Sequence, residues 1–166
     1  RRSGADAMSL DVARIRADFP ILSREIDGRR IVYLDSANTS QKPRPVIEAM
    51  SRFMETAYAP INRSAYRLAS EATDAYEGAR RKVQRFVNAP RAHEIVFTKN
   101  ATESLNLVVA SWGRANLRAG DVVVLTQMEH HANVVPWHML AAERGIELRW
   151  IPLTDDGQLD LTELPR

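Results

Sequence analysis

The chain contains no cysteine, so disulfides and thiol-ligated metals are excluded from its 166 residues. Long apolar runs are also missing. The longest are about five or six residues, far below the roughly 20 needed to span a bilayer. A strong excess of one sign of charge is missing too, with 23 basic against 21 acidic residues and a net charge of +2. The arginines are scattered rather than clustered, which gives no electrostatic footprint for nucleic acid. The start, Arg1-Arg2-Ser3-Gly4-Ala5-Asp6-Ala7, has no apolar core and so no secretory pattern. Residues 1–7 read as a tag remnant or loose tail, and a cytoplasmic protein is expected. No internal repeat or low-complexity tract is visible.

What is present is an ordinary globular composition, 45% hydrophobic. A chain of this length buries roughly 70% of its unfolded surface. The spacing predicts a helix over Leu10–Ala17, stopped before Phe19-Pro20 because the residue before proline avoids the helical region. Ile21–Leu34 reads as a hairpin turning at Asp27-Gly28. Asp35–Pro45 is a polar loop. Val46–Tyr58 and Ala69–Val87 carry apolar residues at helical spacing. After Asn88-Ala89-Pro90 strands and helices alternate: strand Glu94–Thr98, helix Ala101–Trp112, strand Asp121–Leu125, helix Asn133–Arg144, strand Ile146–Ile151, and a helix beginning at Asp160. That alternation argues an α/β sheet flanked by helices. The expected division is an arm over residues 1–34 and the first part of an α/β domain over 35–166.

Four segments could carry chemistry. Thr98-Lys99-Asn100-Ala101-Thr102-Glu103-Ser104 lies between a strand and a helix. The N–H groups of a first helical turn lack intrahelical partners and favour an anion, so Ala101 and Thr102 could hold a phosphate. The same residues also read as an ordinary capped start, with Asn100 as N-cap and Glu103 as the acid at the third position. Glu129-His130-His131 follows a buried strand, at the end where open α/β sheets place ligands. An imidazole there can stack on a flat ring, act as acid or base, or ligate a metal. Zinc would need a third ligand such as His93 or His138, at unhelpful spacing. Asp35-Ser36-Ala37-Asn38-Thr39-Ser40-Gln41-Lys42-Pro43 is either a carboxylate-binding loop or plain surface. In Asn62-Arg63-Ser64, Arg63 offers a planar fork for a carboxylate or phosphate, or is simply a surface charge.

Together these segments resemble the class V aminotransferase family, and within it the group II cysteine desulfurases of the SufS type. The carrying residues are Arg16–Leu22, Tyr33–Ala37 with Gln41-Lys42-Pro43, Thr98–Leu107 and Gln127–Trp137. Ile151-Pro152-Leu153, Asp156-Gly157 and Leu159 also fit. The resemblance runs collinearly from about Leu10 to Pro165. It implies a fold-type I pyridoxal 5'-phosphate enzyme with a three-layer sheet and flanking helices. It implies conversion of L-cysteine to L-alanine with sulfur transfer toward iron–sulfur cluster assembly, in a homodimer, with a sulfur-acceptor protein as partner. By the same resemblance His130 stacks on the pyridine ring and helps move protons. Ala101 and Thr102 hold the cofactor phosphate, and Ala37, Asn62 and Arg63 lie near the substrate.

The chain departs from that pattern at Asn62, where a histidine is usual, at Asn38, where a small apolar residue is usual, and at Ala101, where threonine is common. The first departure keeps open a selenocysteine lyase or another lyase or epimerase of the family. Members of the family are also much longer. None of the lysines, Lys42, Lys82 and Lys99, matches the lysine that bonds the cofactor. The chain therefore reads as the N-terminal part of such an enzyme, not competent alone. The alternative of another class is a shortened, non-catalytic binding or regulatory module.

Overall fold

A computed structural model describes residues 10–61, 65–162 and 164. The chain groups into two compact units, Arg1–Ile95 and Val96–Arg166, and each is described by itself.

In the first unit, helix α1 spans Val12–Ala17. The Asp11 carboxylate accepts from the Arg14 N–H at 3.0 Å and caps its start. A 3-10 turn follows over Pro20–Ser23. The expected hairpin is real but shorter than Ile21–Leu34. Strands β1 (Glu25–Ile26) and β2 (Arg29–Arg30) pair antiparallel. Asp27 and Gly28 both take positive φ, 52° and 72°, as a tight primed turn requires. The ladder stops after two pairs because both strands are exposed and bury no apolar face.

Helix α2 spans Arg44–Thr56 and starts two residues ahead of Val46, because Pro43 and Pro45 suit the first turn. Helix α3 spans Arg67–Phe86 and buries Ala69 and Ala72 completely. Asn88, at φ 56°, takes the left-handed conformation just beyond its end.

The expected strand over Glu94–Thr98 is absent. Ala92–Glu94 forms a 3-10 turn, and residues 95–98 join no ladder among the described residues. The Ile95 carbonyl, which a neighbouring strand would have taken, accepts instead from the Arg80 guanidinium.

The second unit begins its regular structure with α4, Ala101–Val108. The expected helix to Trp112 does continue, but through a π turn at Val109–Gly113 into the short α5, Arg114–Asn116. Strand β3 (Val122–Thr126), helix α6 (Val135–Arg144) and strand β4 (Glu147–Ile151) form one βαβ unit. The two strands pair in parallel, Val122 opposite Glu147 through Thr126 opposite Ile151. Among the described residues this sheet thus has two strands where the sequence suggested three. Along β3 the side chains alternate, with Val123 and Leu125 less exposed than their neighbours, so one face points to the core.

That core is Val109, Leu140 and Ile146, packed by Leu117, Val123, Trp137, Ala141 and Leu148. Gly145, at φ 70°, closes α6, and its N–H donates to the Ala141 carbonyl at 2.9 Å. Of the helix expected from Asp160, the described residues show a capping turn. The Asp160 carboxylate accepts from the Thr162 N–H at 3.0 Å and its hydroxyl at 2.6 Å, and Glu163 lies outside the described residues. Among the described residues no helix is long and apolar enough to cross a membrane.

Candidate active site

The start of α4 is the capped helix start that its sequence suggested. Asn100 is extended, at φ −166°, and its side-chain oxygen accepts from the Glu103 N–H at 2.9 Å. The Glu103 carboxylate reaches back to the Lys99 N–H at 2.6 Å. The Thr98 and Ser104 hydroxyls lie 2.6 Å apart and tie the incoming chain to the first turn. This reciprocal cap takes the N–H groups of residues 99 and 103. No hydrogen bond among the described residues takes the N–H groups of Ala101 and Thr102, or the Thr102 hydroxyl. Both residues are exposed. The cap therefore leaves two donors and a hydroxyl at the positive end of a helix dipole, a geometry that fits a phosphate.

The histidine turn is built from the end of β3. The Glu129 carboxylate bridges two donors, the Thr126 hydroxyl at 3.0 Å and the Asn133 amide at 2.9 Å. Asn133 in turn accepts from the Trp137 indole N–H at 3.2 Å. Donation first from Asn133 and then from Thr126 holds the Glu129 carboxyl below the usual carboxylate range, so it is ionised at neutral pH. His130 sits inside this brace. Its carbonyl accepts from the Asn133 N–H at 2.8 Å, and its ring Nδ1 accepts from the Ala132 N–H at 3.1 Å. A ring whose Nδ1 accepts carries its neutral-state proton on Nε2.

The His130 and His131 rings are both exposed, 6.5 Å apart and 88° from parallel. One flat ligand face can therefore lie against only one of them. His138 lies against Trp150, ring centroids 6.0 Å apart, and His93 belongs to the 3-10 turn of the first unit. Among the described residues no three His, Cys, Asp or Glu side chains gather where they could hold a metal ion.

Helix α4 packs against the 3-10 turn His131–Asn133. The helix bearing Ala101 and Thr102 and the turn that fixes His130 are thus neighbours in one unit. Ala37 belongs to the first unit. It is exposed, in a turn whose Asp35 carbonyl accepts from the N–H groups of Asn38 and Thr39. The Tyr33 hydroxyl donates to the Thr39 carbonyl at 2.5 Å and closes that loop. Asn62 and Arg63 lie outside the described residues. Sequence reasoning passed over Thr126, Glu129 and Asn133 as a group. The i, i+4 spacings Glu129–Asn133 and Asn133–Trp137 are the signal that could have found them.

The profile of the aminotransferase class-V family matches residues 32–166. The chain is 49% identical over 158 residues to a cysteine desulfurase of Escherichia coli O1:K1 / APEC, covering 95% of this chain and 39% of that one. It therefore spans well under half the length of the curated relatives it matches. An apo structure of cysteine desulfurase from Thermococcus onnurineus NA1 superposes with a TM-score of 0.81 and 38% identity, over 91% of this chain and 36% of that one. A C-DES variant with glycine covalently linked to its PLP cofactor gives a TM-score of 0.60 at 21% identity, over 83% of this chain and 33% of that one. That last likeness is one of fold alone.

Proposed function

Because the chain belongs to the aminotransferase class-V family, we propose that it is the N-terminal part of a pyridoxal-phosphate-dependent cysteine desulfurase. In this reading the whole enzyme is of the SufS type. It converts L-cysteine to L-alanine and passes the sulfur to an acceptor protein, toward iron–sulfur cluster assembly. It acts as a cytoplasmic homodimer with a three-layer fold-type I domain. Residues 1–34 form its arm, and 35–166 begin the cofactor-binding domain.

The observation that carries the reading is the pairing of two features in one unit. The N–H groups of Ala101 and Thr102 are free, and α4 packs on the turn that fixes the exposed His130 ring. The two N–H groups and the Thr102 hydroxyl would hold the phosphate. The His130 imidazole would orient the ring. The proton on Nε2 of His130 is the one this residue gives or takes, because Nδ1 is occupied by the Ala132 N–H. When bound, pyridoxal phosphate supplies the electron sink for bond cleavage at the substrate carbon. By the family resemblance we assign Ala37, Asn62 and Arg63 to the amino-acid substrate, the planar fork of Arg63 being suited to its carboxylate.

The test is made on the intact protein. Pyridoxal phosphate uptake is followed by visible absorption, and alanine release is measured from L-cysteine and from L-selenocysteine. The reading expects stoichiometric uptake and alanine from L-cysteine. Uptake without alanine from L-cysteine would remove the desulfurase assignment. No uptake would remove the cofactor, and with it leave the non-catalytic module. Asn62, which stands where the family has histidine, is the reason the selenium substrate is included.

A further inference from the structure

A continuous polar network braces the turn around His130, and the reading above uses only the imidazole it surrounds. Four side chains run in series: the Thr126 hydroxyl to Glu129, Asn133 to Glu129, and Trp137 to Asn133. Thr126 is the last residue of β3, Trp137 lies in α6, and Trp137 packs against the buried core. The network therefore spans the whole connection from strand to helix and roots it in the core. His130 sits within it, gripped at its carbonyl by Asn133 and at Nδ1 by Ala132. The Glu129 carboxylate bonds the Thr126 and Asn133 side chains, which flank the Ala132 peptide that meets the His130 ring.

We infer that Glu129 is a positioning residue, whose bridge between Thr126 and Asn133 holds the Ala132 amide against Nδ1 of His130 and so sets both the plane of that ring and the nitrogen that carries its proton. Without the bridge the turn relaxes, the Ala132 amide leaves Nδ1, and both neutral tautomers become populated. The inference deepens the functional reading, since it names what makes His130 fit for stacking and proton transfer. Its structural half does not depend on a cofactor.

The decisive variant is Glu129→Met, which keeps the length of the side chain and removes both acceptors. Glu129→Gln is the rescue. Its oxygen can keep the Asn133 amide, and the Thr126 hydroxyl can rotate to accept from the new amide. The measurement is a long-range proton–nitrogen spectrum of intact protein labelled with [15N]histidine and free of cofactor. His138, held against Trp150, is the internal control. In the native protein His130 should show an unprotonated Nδ1 and a protonated Nε2. Glu129→Met should bring the two nitrogens toward a common averaged position while His138 stays put, and Glu129→Gln should restore the native pattern.

With L-cysteine, the Met variant should lose turnover by about 10²-fold, the order of cost of a ~1 Å misplacement, with KM nearly unchanged. Should Glu129→Met not fold, Thr126→Val removes one arm of the bridge at constant shape and should shift the His130 signals in the same direction. Unchanged His130 signals in a folded Met or Val variant would overturn the inference. If the native protein takes up no pyridoxal phosphate, the functional reading falls, and the cofactor-free spectra still decide the role of Glu129.

Discussion

At the scale of single residues, the two adjacent histidines are unequal although the sequence presents them as a pair. His130 is fixed at Nδ1 and at its carbonyl, and its ring stands 88° from that of His131. A planar ligand stacked on one ring meets only the edge of the other. On the proposed function, His130→Ala should therefore lower turnover of the whole enzyme by about 10²–10⁴-fold, the range for a placed acid or base. His131→Ala should cost far less. Equal losses in steady-state assays of the two variants would refute the stacking assignment. The place of the two histidines at a strand end was legible in the sequence. The fixing of the His130 ring was not, because it depends on a backbone amide two residues on, and amides leave no trace in a sequence. Glu129 was missed for a different reason. An acid beside two histidines suggests chemistry or charge, whereas its carboxylate is spent on Thr126 and Asn133.

At the scale of elements, legibility followed whether an element is self-contained. Helices α2, α3 and α6 were readable because a 3.6-residue stripe is a property of one segment. β3 and β4 were readable as short apolar runs bounded by turns. Residues 94–98 have the same look, yet a strand needs a partner, and the Ile95 carbonyl found Arg80 instead. The start of α4 was legible as a capped helix, which the structure shows, and the proposed phosphate role rests on the two N–H groups that the cap leaves open. This makes a clean test possible. Proline is well tolerated at the first helical position, and the preceding Asn100 is already extended, as proline demands. Ala101→Pro deletes one free N–H and leaves the cap intact. The expected outcome is an unchanged melting temperature with pyridoxal phosphate affinity about 10-fold or more weaker, on the order of 1.5–3 kcal/mol for a hydrogen bond to a charged group. Equal affinity in a binding titration would show that the phosphate does not use this amide.

The π turn carries a second prediction at this scale. A Cβ at Gly113 would stand 3.0 Å from Leu140 Cδ2 and 3.4 Å from Trp137 Cζ3. Gly113→Ala gains about 1 kcal/mol in helix propensity. Overpacking typically costs about 1–3 kcal/mol. Leu140 is 2% exposed, so the packing cost should win, and denaturant melts should show net destabilisation. A stabilised variant would mean that the core yields more than its burial suggests.

At the scale of the whole molecule, both units leave much apolar surface open. Leu34 and Phe86 are each 91% exposed, and β3 shows Val122 and Val124 on its outer face. Patches of this kind mark surfaces that pack against other protein. They agree with a chain that spans 39% of its relatives' length. A covalent bond to the proposed cofactor would need a lysine amine at the ring, and the candidates within these residues are Lys42, Lys82 and Lys99. The Lys42 ammonium is tied to the Ser40 carbonyl at 2.6 Å, and Lys82 lies exposed along α3. Lys99 is exposed, beside the phosphate-ready turn, and none of the three matches the cofactor lysine in the family pattern. Borohydride reduction of the isolated protein with pyridoxal phosphate, followed by peptide mapping, should therefore place the label on a lysine other than these. The 166-residue polypeptide alone should take at most scattered, substoichiometric label. Stoichiometric labelling of one of the three, above all Lys99, lost on its replacement by alanine, would show that this stretch holds the cofactor covalently and would refute its reading as a part that supplies the phosphate cradle and the stacking ring while the bond is made elsewhere.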